Sequence, residues 1–157
     1  MPPITALLHT ENDALRLGRT LETLYPCDDI LIVDHGSRDA TVRLAREYGA
    51  RVLDVRIGAS PAQYLAATSW AWILCLDPHE SLTESLAATL YEWKSLPPAA
   101  AAFSVFLREE TAGGWVEIPT AQTRLIPADW TRWAGWLPVT DRFALALEGE
   151  LLRFAFP

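Results

Sequence analysis

Positive charge is scarce in this chain of 157 residues: 13 lysines and arginines stand against 20 aspartates and glutamates, for a formal net charge of −7. Binding a phosphate backbone needs clustered Lys and Arg, so nucleic acid is excluded as a partner and unaided docking on an anionic membrane is disfavoured. Cysteine is nearly absent. Cys27 and Cys75 stand alone, which is no disulfide framework and points to a reducing, cytoplasmic setting. No apolar run approaches the roughly 18 residues of a membrane span, and no basic segment leads into an apolar one at the start, so neither a transmembrane segment nor a secretory leader is expected. Internal repeats are missing too. What the chain has is apolar mass, 50% of its residues, enough for a real core in a single domain over 1–157.

The most informative stretch is 30–41, Ile-Leu-Ile-Val-Asp-His-Gly-Ser-Arg-Asp-Ala-Thr. Four apolar residues, three of them β-branched, read as a buried strand that stops at Asp34. A polar turn with Gly36 follows, then a helical pattern that Ser37 can cap. A strand, a tight loop and a helix N-terminus together form a seat for an anionic or polyhydroxyl ligand. Similar strands are expected at 4–8, 51–55 and 72–76. Helices are expected at 13–24 behind an Asn12 cap, at 40–48 up to Gly49, in a short piece from Pro61, and behind a Ser81/Glu84 capping box. This alternation implies parallel strands joined by right-handed crossovers. Beyond Pro97 the helical alternation ends. Strands at 103–107, 115–118, 123–126 and 151–156 are expected as antiparallel additions to the same sheet.

Three loops leave the carboxyl ends of the first, second and fourth strands: His9-Thr10-Glu11-Asn12-Asp13, Asp34-His35-Gly36-Ser37 and Asp77-Pro78-His79-Glu80. Each holds at least one carboxylate, and the first two feed helix N-termini. Carboxylates beside phosphate-binding helix ends suit a divalent-metal nucleotide site, because the cation offsets the phosphate charge.

With these loops the chain resembles the family 2 glycosyltransferases of the GT-A fold, and most closely their lipopolysaccharide-core glucosyltransferase branch. The matching pieces are Thr10-x-Asn12, Val33-Asp34-x-Gly36-Ser37-x-Asp39-x-Thr41, Ala45-x-x-Tyr48-Gly49-Ala50-x-Val52 and Trp72-Ile73-Leu74-x-Leu76-Asp77-x-x-Glu80. They span residues 3–95; residues 96–157 match only at Arg124-Leu125-Ile126.

The resemblance implies an α/β, GT-A-like (Rossmann-like) three-layer sandwich whose mostly parallel central sheet carries antiparallel C-terminal additions. Residues 1–95 would be the nucleotide-sugar-binding half and 96–157 a short acceptor-side part. The implied activity is inverting transfer of a hexose from a nucleotide sugar to a glycan or lipid-linked acceptor. Thr10, Asn12 and Asp34 would surround base and ribose, aided by Gly36 and Ser37. Asp77 would face the ribose or diphosphate. By its own chemistry Arg124 is a candidate diphosphate clamp, against the plainer reading of a surface or structural Arg. The third position of the family's Asp-x-Asp metal motif, which holds Mn²⁺ or Mg²⁺, is His79 here, with Glu80 following as a substitute ligand. Of the late aspartates, Asp129 and Asp141, Asp141 is the candidate base.

Residue chemistry adds two further expectations. The three histidines, His9, His35 and His79, each follow a parallel strand, so they can converge on one rim as a site for a softer cation such as Zn²⁺. The plainer alternative is that they face the cleft and bond to its carboxylates. Trp133 and Trp136 are candidates to stack on a sugar ring, against the plainer reading of core packing. A catalytically inactive binding or scaffold protein of the same fold is the competing function, and a homodimer is a further expectation. A cytoplasmic location fits the composition, and a place peripheral to the inner membrane is a further expectation.

Overall fold

The computed structural model describes residues 2–55, 60–68 and 71–157. The expected loop at 56–59 lies outside the described residues. Strand β1 (Ile4–Thr10) is buried along its whole length. Helix α1 (Ala14–Glu22), strand β2 (Asp29–Asp34), helix α2 (Thr41–Glu47) and strand β3 (Arg51–Asp54) follow. The short helix α3 (Pro61–Leu65) opens with a Ser60/Gln63 capping box and Pro61 in its first turn, a position where the missing proline N–H costs nothing. Strands β4 (Trp72–Leu76) and β5 (Glu80–Leu82) lead into helix α4 (Glu84–Lys94). Strands β6 (Phe103–Thr111) and β7 (Gly114–Pro127), the two-residue strands β8 (Trp133–Ala134) and β9 (Leu137–Pro138), and strand β10 (Leu145–Arg153) complete the chain.

Eight strands form one sheet in the order β3-β2-β1-β4-β7-β6-β10-β5. Strands β3, β2, β1 and β4 are parallel, as the alternation of strands and helices requires. Thr10 pairs with Asp34 and Leu8 with Leu76, so the three ligand-type loops leave the sheet at the same edge. One core face packs Leu17 and Leu21 of α1, Ala45 of α2, and Leu86, Leu90 and Trp93 of α4 against the sheet. The opposite face packs Tyr64 and Leu65 of α3 with Trp130 against Leu7, Val33, Ile73 and Ile126. The fold is the three-layer α/β sandwich that the sequence implies.

The second half differs from expectation in three ways. Strand β10 runs parallel to β6 and not antiparallel. Strand β7 ends beside the start of β6, with Leu125 opposite Phe103, and β10 begins at the same place, with Leu145 opposite Phe103. The connection therefore delivers β10 in the direction of β6. The strands expected at 115–118 and 123–126 are one long β7 whose register shifts between them. Ser81 does not cap α4. Pairing with β10 draws residues 80–82 into β5, and the cap falls to Thr83, whose Oγ1 accepts from the Leu86 N–H at 3.2 Å.

Candidate functional site

The first two loops are sewn into one body by the side chains that the sequence singles out. Thr10 Oγ1 donates to Asp34 Oδ1 at 2.8 Å. The Ser37 N–H and hydroxyl donate to the two oxygens of Asp34 at 2.9 and 2.6 Å. The Asn12 N–H donates to Ser37 Oγ at 2.9 Å, and Asn12 Oδ1 accepts from the Arg38 N–H at 2.8 Å. Asp39 Oδ2 accepts from the Ala14 N–H at 3.2 Å, and Thr41 Oγ1 accepts from the Asp13 N–H at 2.8 Å. Asn12 adopts a left-handed φ of 54° to make these bonds, a conformation that Asn tolerates better than most residues.

Asn12 and Ser37 are thus not helix caps. α1 begins behind Asp13 and α2 behind Ala40, neither with a capping side-chain bond; Asp39 and Thr41 satisfy the first N–H groups across the two loops instead. Gly36, at φ 80° with open space where a side chain would point, leaves the loop backbone approachable.

The third loop is held from below. Glu80 is fully buried at 0% exposure, and Arg124 is at 1%. Arg124 grips both Glu80 oxygens, at 2.6 and 2.9 Å, and Arg153 adds a bond at 2.9 Å. Glu80 Oε1 also accepts the Asp77 N–H at 2.8 Å. Burial by itself pushes the Glu80 carboxyl up, but the Arg124 charge and hydrogen bonds more than offset this and hold it below the usual carboxylate range. The expectation of Glu80 as a metal ligand is therefore corrected, and of the two readings of Arg124 the structural one, not the diphosphate clamp, agrees with this pairing. Each neutralises the other inside the fold, and neither reaches the rim.

Above this anchor, the Asp77 side chain is 39% exposed and accepts the His79 N–H at 2.9 Å. The His79 ring lies between two carboxylates, with Nδ1 3.3 Å from Asp77 and Nε2 3.5 Å from Asp13. Asp13 is a site residue that the sequence left as a helix start. Its position at the end of the first polar loop was the available signal.

The histidines do not converge. His9 Nδ1 and His35 Nε2 are 2.8 Å apart, whereas His79 belongs to Asp13 and Asp77. Among the described residues no group of three or more His, Cys, Asp or Glu side chains can hold a metal ion, so the Zn²⁺ expectation is corrected. Burial, helped by the neighbouring His35, lowers the His9 pKa to about 3, which keeps the ring neutral.

Trp136 stacks on His9 and His35 at centroid distances of 4.9 and 4.3 Å. Trp133 is half-buried against the second core and donates its indole N–H to the Trp130 carbonyl at 3.1 Å. Trp133 thus does not present the free face expected of a sugar platform, whereas Trp136 is 45% exposed beyond its contact with the histidines. Asp141 forms an ion pair with Arg132 and accepts the Phe143 N–H. The Arg132 hydrogen bond lowers its pKa, away from the range that favours general-base catalysis, so Asp141 stands here as the partner of Arg132.

No protein-family model matches the chain. The chain is 32% identical over 95 residues to an uncharacterized glycosyltransferase of Rickettsia felis, covering 55% of this chain and 32% of that one. It is 30% identical over 98 residues to the lipopolysaccharide core biosynthesis glycosyltransferase LpsC of Rhizobium meliloti, covering 57% and 36%. The glucosyl-3-phosphoglycerate synthase of Mycobacterium tuberculosis, solved with Mn²⁺, UDP and glucosyl-3-phosphoglycerate, superposes with a TM-score of 0.53 at 21% identity, over 68% of this chain and 44% of that one. The chain is similar in sequence to glycosyltransferases and has the GT-A fold.

Two further likenesses accompany these. The GT-A chain superposes on residues 1–349 of S. aureus TarS with a TM-score of 0.54 at 14% identity, over 75% of this chain and 38% of that one. It is also 34% identical over 126 residues to a TPR repeat-containing protein of Synechococcus elongatus, covering 74% of this chain and 30% of that one. The GT-A chain spans about a third of the length of the curated relatives it matches, 30% to 36% of the three compared here.

The fold family implies a divalent cation, and the rim of this GT-A chain fits one only in a particular way. Asp77 offers an accessible carboxylate, while Asp13 lies across the His79 ring from it. One carboxylate plus the ligand's own phosphates and water is an accepted arrangement for Mg²⁺-like ions, which seldom need a cage made wholly of protein.

Proposed function

We propose that this chain is the donor-binding part of a glycosyltransferase that takes a hexose from a nucleotide sugar and passes it to a glycan or lipid-linked acceptor, with inversion at the anomeric carbon. One observation carries the reading: the interlocked first and second loops and the exposed Asp77 share one sheet edge, on the adjacent strands β2, β1 and β4. Two strand spacings, about 10 Å, separate the outer pair, a span that suits a nucleoside at one side and its diphosphate at the other. The UDP and Mn²⁺ in the M. tuberculosis synthase support the same ligand class.

In this reading Thr10, Asn12, Asp34 and Ser37 act chiefly on one another. They fix the loop backbone around Gly36 that meets base and ribose. Asp77 would hold Mn²⁺ or Mg²⁺ on the diphosphate side, where the ion would supply charge compensation to the phosphates and the leaving group. The Glu80–Arg124 pair sets the Asp77 backbone, and Asp13 orients the His79 ring. No helix among the described residues is long and apolar enough to cross a membrane. A cytoplasmic site beside the inner membrane, where a lipid-linked acceptor would be met, is part of the proposal. So is a homodimer, supported by the exposed side chains of Val139, Phe143 and Leu145.

A second reading, a catalytically silent relative that binds a nucleotide or a partner, is favoured by His79 at the third motif position and by the ion-paired state of Asp141. Thermal unfolding with UDP, GDP and dTDP, each with and without Mn²⁺, tests donor binding. A stabilisation that needs both nucleotide and Mn²⁺ is expected, growing to about 2.7 kcal/mol at a hundredfold excess over Kd. No shift with any nucleotide would remove the donor reading. Turnover of a UDP-sugar then separates the active form from the silent one.

A further inference from the structure

The His9 and His35 rings make a platform. They meet edge to edge at 2.8 Å between Nδ1 and Nε2, with centroids 5.1 Å apart and planes inclined by 25°. Tyr64 supports His9 edge-on at 4.6 Å. His9 precedes Thr10 and His35 follows Asp34, and those two neighbours are joined by their own hydrogen bond. The platform is therefore continuous with the loops assigned to the base and ribose. Its upper face is taken by the Trp136 indole, nearly parallel to both rings at 11° and 14°.

Resting on the donor-binding reading above, we propose that Trp136 is an internal occupant of the nucleobase seat, which a donor's base must displace. The indole has the shape and π-face of a base but only one hydrogen-bonding group, an N–H that finds no partner among the described residues. By contrast, Trp130 and Trp133 both donate to backbone carbonyls. His9 is 4% exposed, and its Nε2 is buried with no partner among the described residues. Trp136 sits at the tip of a small hairpin. Strands β8 and β9 bond only to each other. The base of the hairpin is fastened by the Arg132–Asp141 pair, by the Val139 N–H on the Arg132 carbonyl at 2.9 Å, and by the Asp141 N–H on Thr123 at 2.8 Å. The tip carries Gly135 at φ 65° with open space around it, and Trp136 itself is 45% exposed. An indole held by stacking on the two histidines lowers the apparent affinity for a base by the fraction of time it occupies the seat.

Calorimetric titration of the whole chain with uridine and with UDP plus Mn²⁺ tests this, comparing wild type, Trp136→Ala and Trp136→Phe. Uridine is expected to bind Trp136→Ala about three- to tenfold more tightly than wild type, the range set by one aromatic stack. Trp136→Phe keeps a flat occupant and should lie between them. Acrylamide quenching of tryptophan fluorescence should rise when UDP binds wild type and not when it binds Trp136→Phe. Circular dichroism confirms that the variants fold, and the Phe variant and the quenching measurement stand even if the Ala variant does not. Equal or weaker uridine binding by Trp136→Ala, with wild type still binding UDP, overturns the occupant proposal and leaves the donor reading standing. Failure of every protein to bind either ligand overturns both.

Discussion

Arg124 and Glu80 meet through two parallel hydrogen bonds, at 2.6 and 2.9 Å, with both side chains essentially withdrawn from solvent. The pair sits under the turn that exposes Asp77, and Glu80 reaches up to the Asp77 N–H. Removing one member of a buried pair leaves an uncompensated charge, at a cost of about 3–5 kcal/mol. Arg124→Ala is expected to destabilise the chain by that amount in urea denaturation. A loss below about 1 kcal/mol would mean that the pair is not what fixes the turn.

Asp77 and His79 separate the metal reading from a purely structural one. Asp77→Ala should leave the urea midpoint nearly unchanged, because its side chain is substantially exposed, while weakening Mn²⁺-dependent UDP binding by about tenfold or more, equivalent to about 1.4 kcal/mol. His79→Asp, which supplies an oxygen ligand at the third motif position, should tighten that binding. If His79→Asp weakens it, the ring itself assists the ligand.

His9 makes stability depend on pH. Its folded pKa is about 3, below the ordinary value of 6.5. Above pH 6.5 both folded and unfolded chains hold it neutral. As pH falls below that, the unfolded chain takes up a proton that the folded chain refuses, so stability is lost between pH 6.5 and about 3, at about 1.4 kcal/mol per pH unit. Denaturation at pH 7 and pH 5 should differ by about 2 kcal/mol more for wild type than for His9→Gln. Equal pH slopes would show that His9 titrates normally.

Gly149 marks where β10 passes over the start of α4. It adopts φ 93°, and a Cβ there would fall 2.4 Å from the Leu86 nitrogen and 2.6 Å from its Cα. Backbone cannot yield as a side chain tip can, so Gly149→Ala should cost about 2–3 kcal/mol, read by thermal or urea unfolding. A neutral substitution would mean that the strand can lift from the helix.

The elements that the sequence makes legible are those written in local terms. The apolar runs 30–33 and 72–76 need burial on both faces and appear as β2 and β4. The polar tips that end them emerge on one edge because parallel strands with helical crossovers leave no other choice. Strand β5 escaped notice because three residues, one of them the charged Glu80, carry no periodic signal; only pairing with β10 makes them a strand.

Local residue order is enough to specify the α/β frame and the rim on which chemistry can stand, since hydrophobic periodicity and turn residues act over a few neighbours. The tertiary structure alone decided what each rim side chain does. Thr10, Asp34 and Ser37 spend their hydrogen bonds on one another, Glu80 and Arg124 turn inward as a pair, and Trp136 lies on two histidines more than a hundred residues earlier in the chain. A polar side chain takes whichever partner the fold brings within reach, and that partner's distance along the chain leaves no trace in the local pattern.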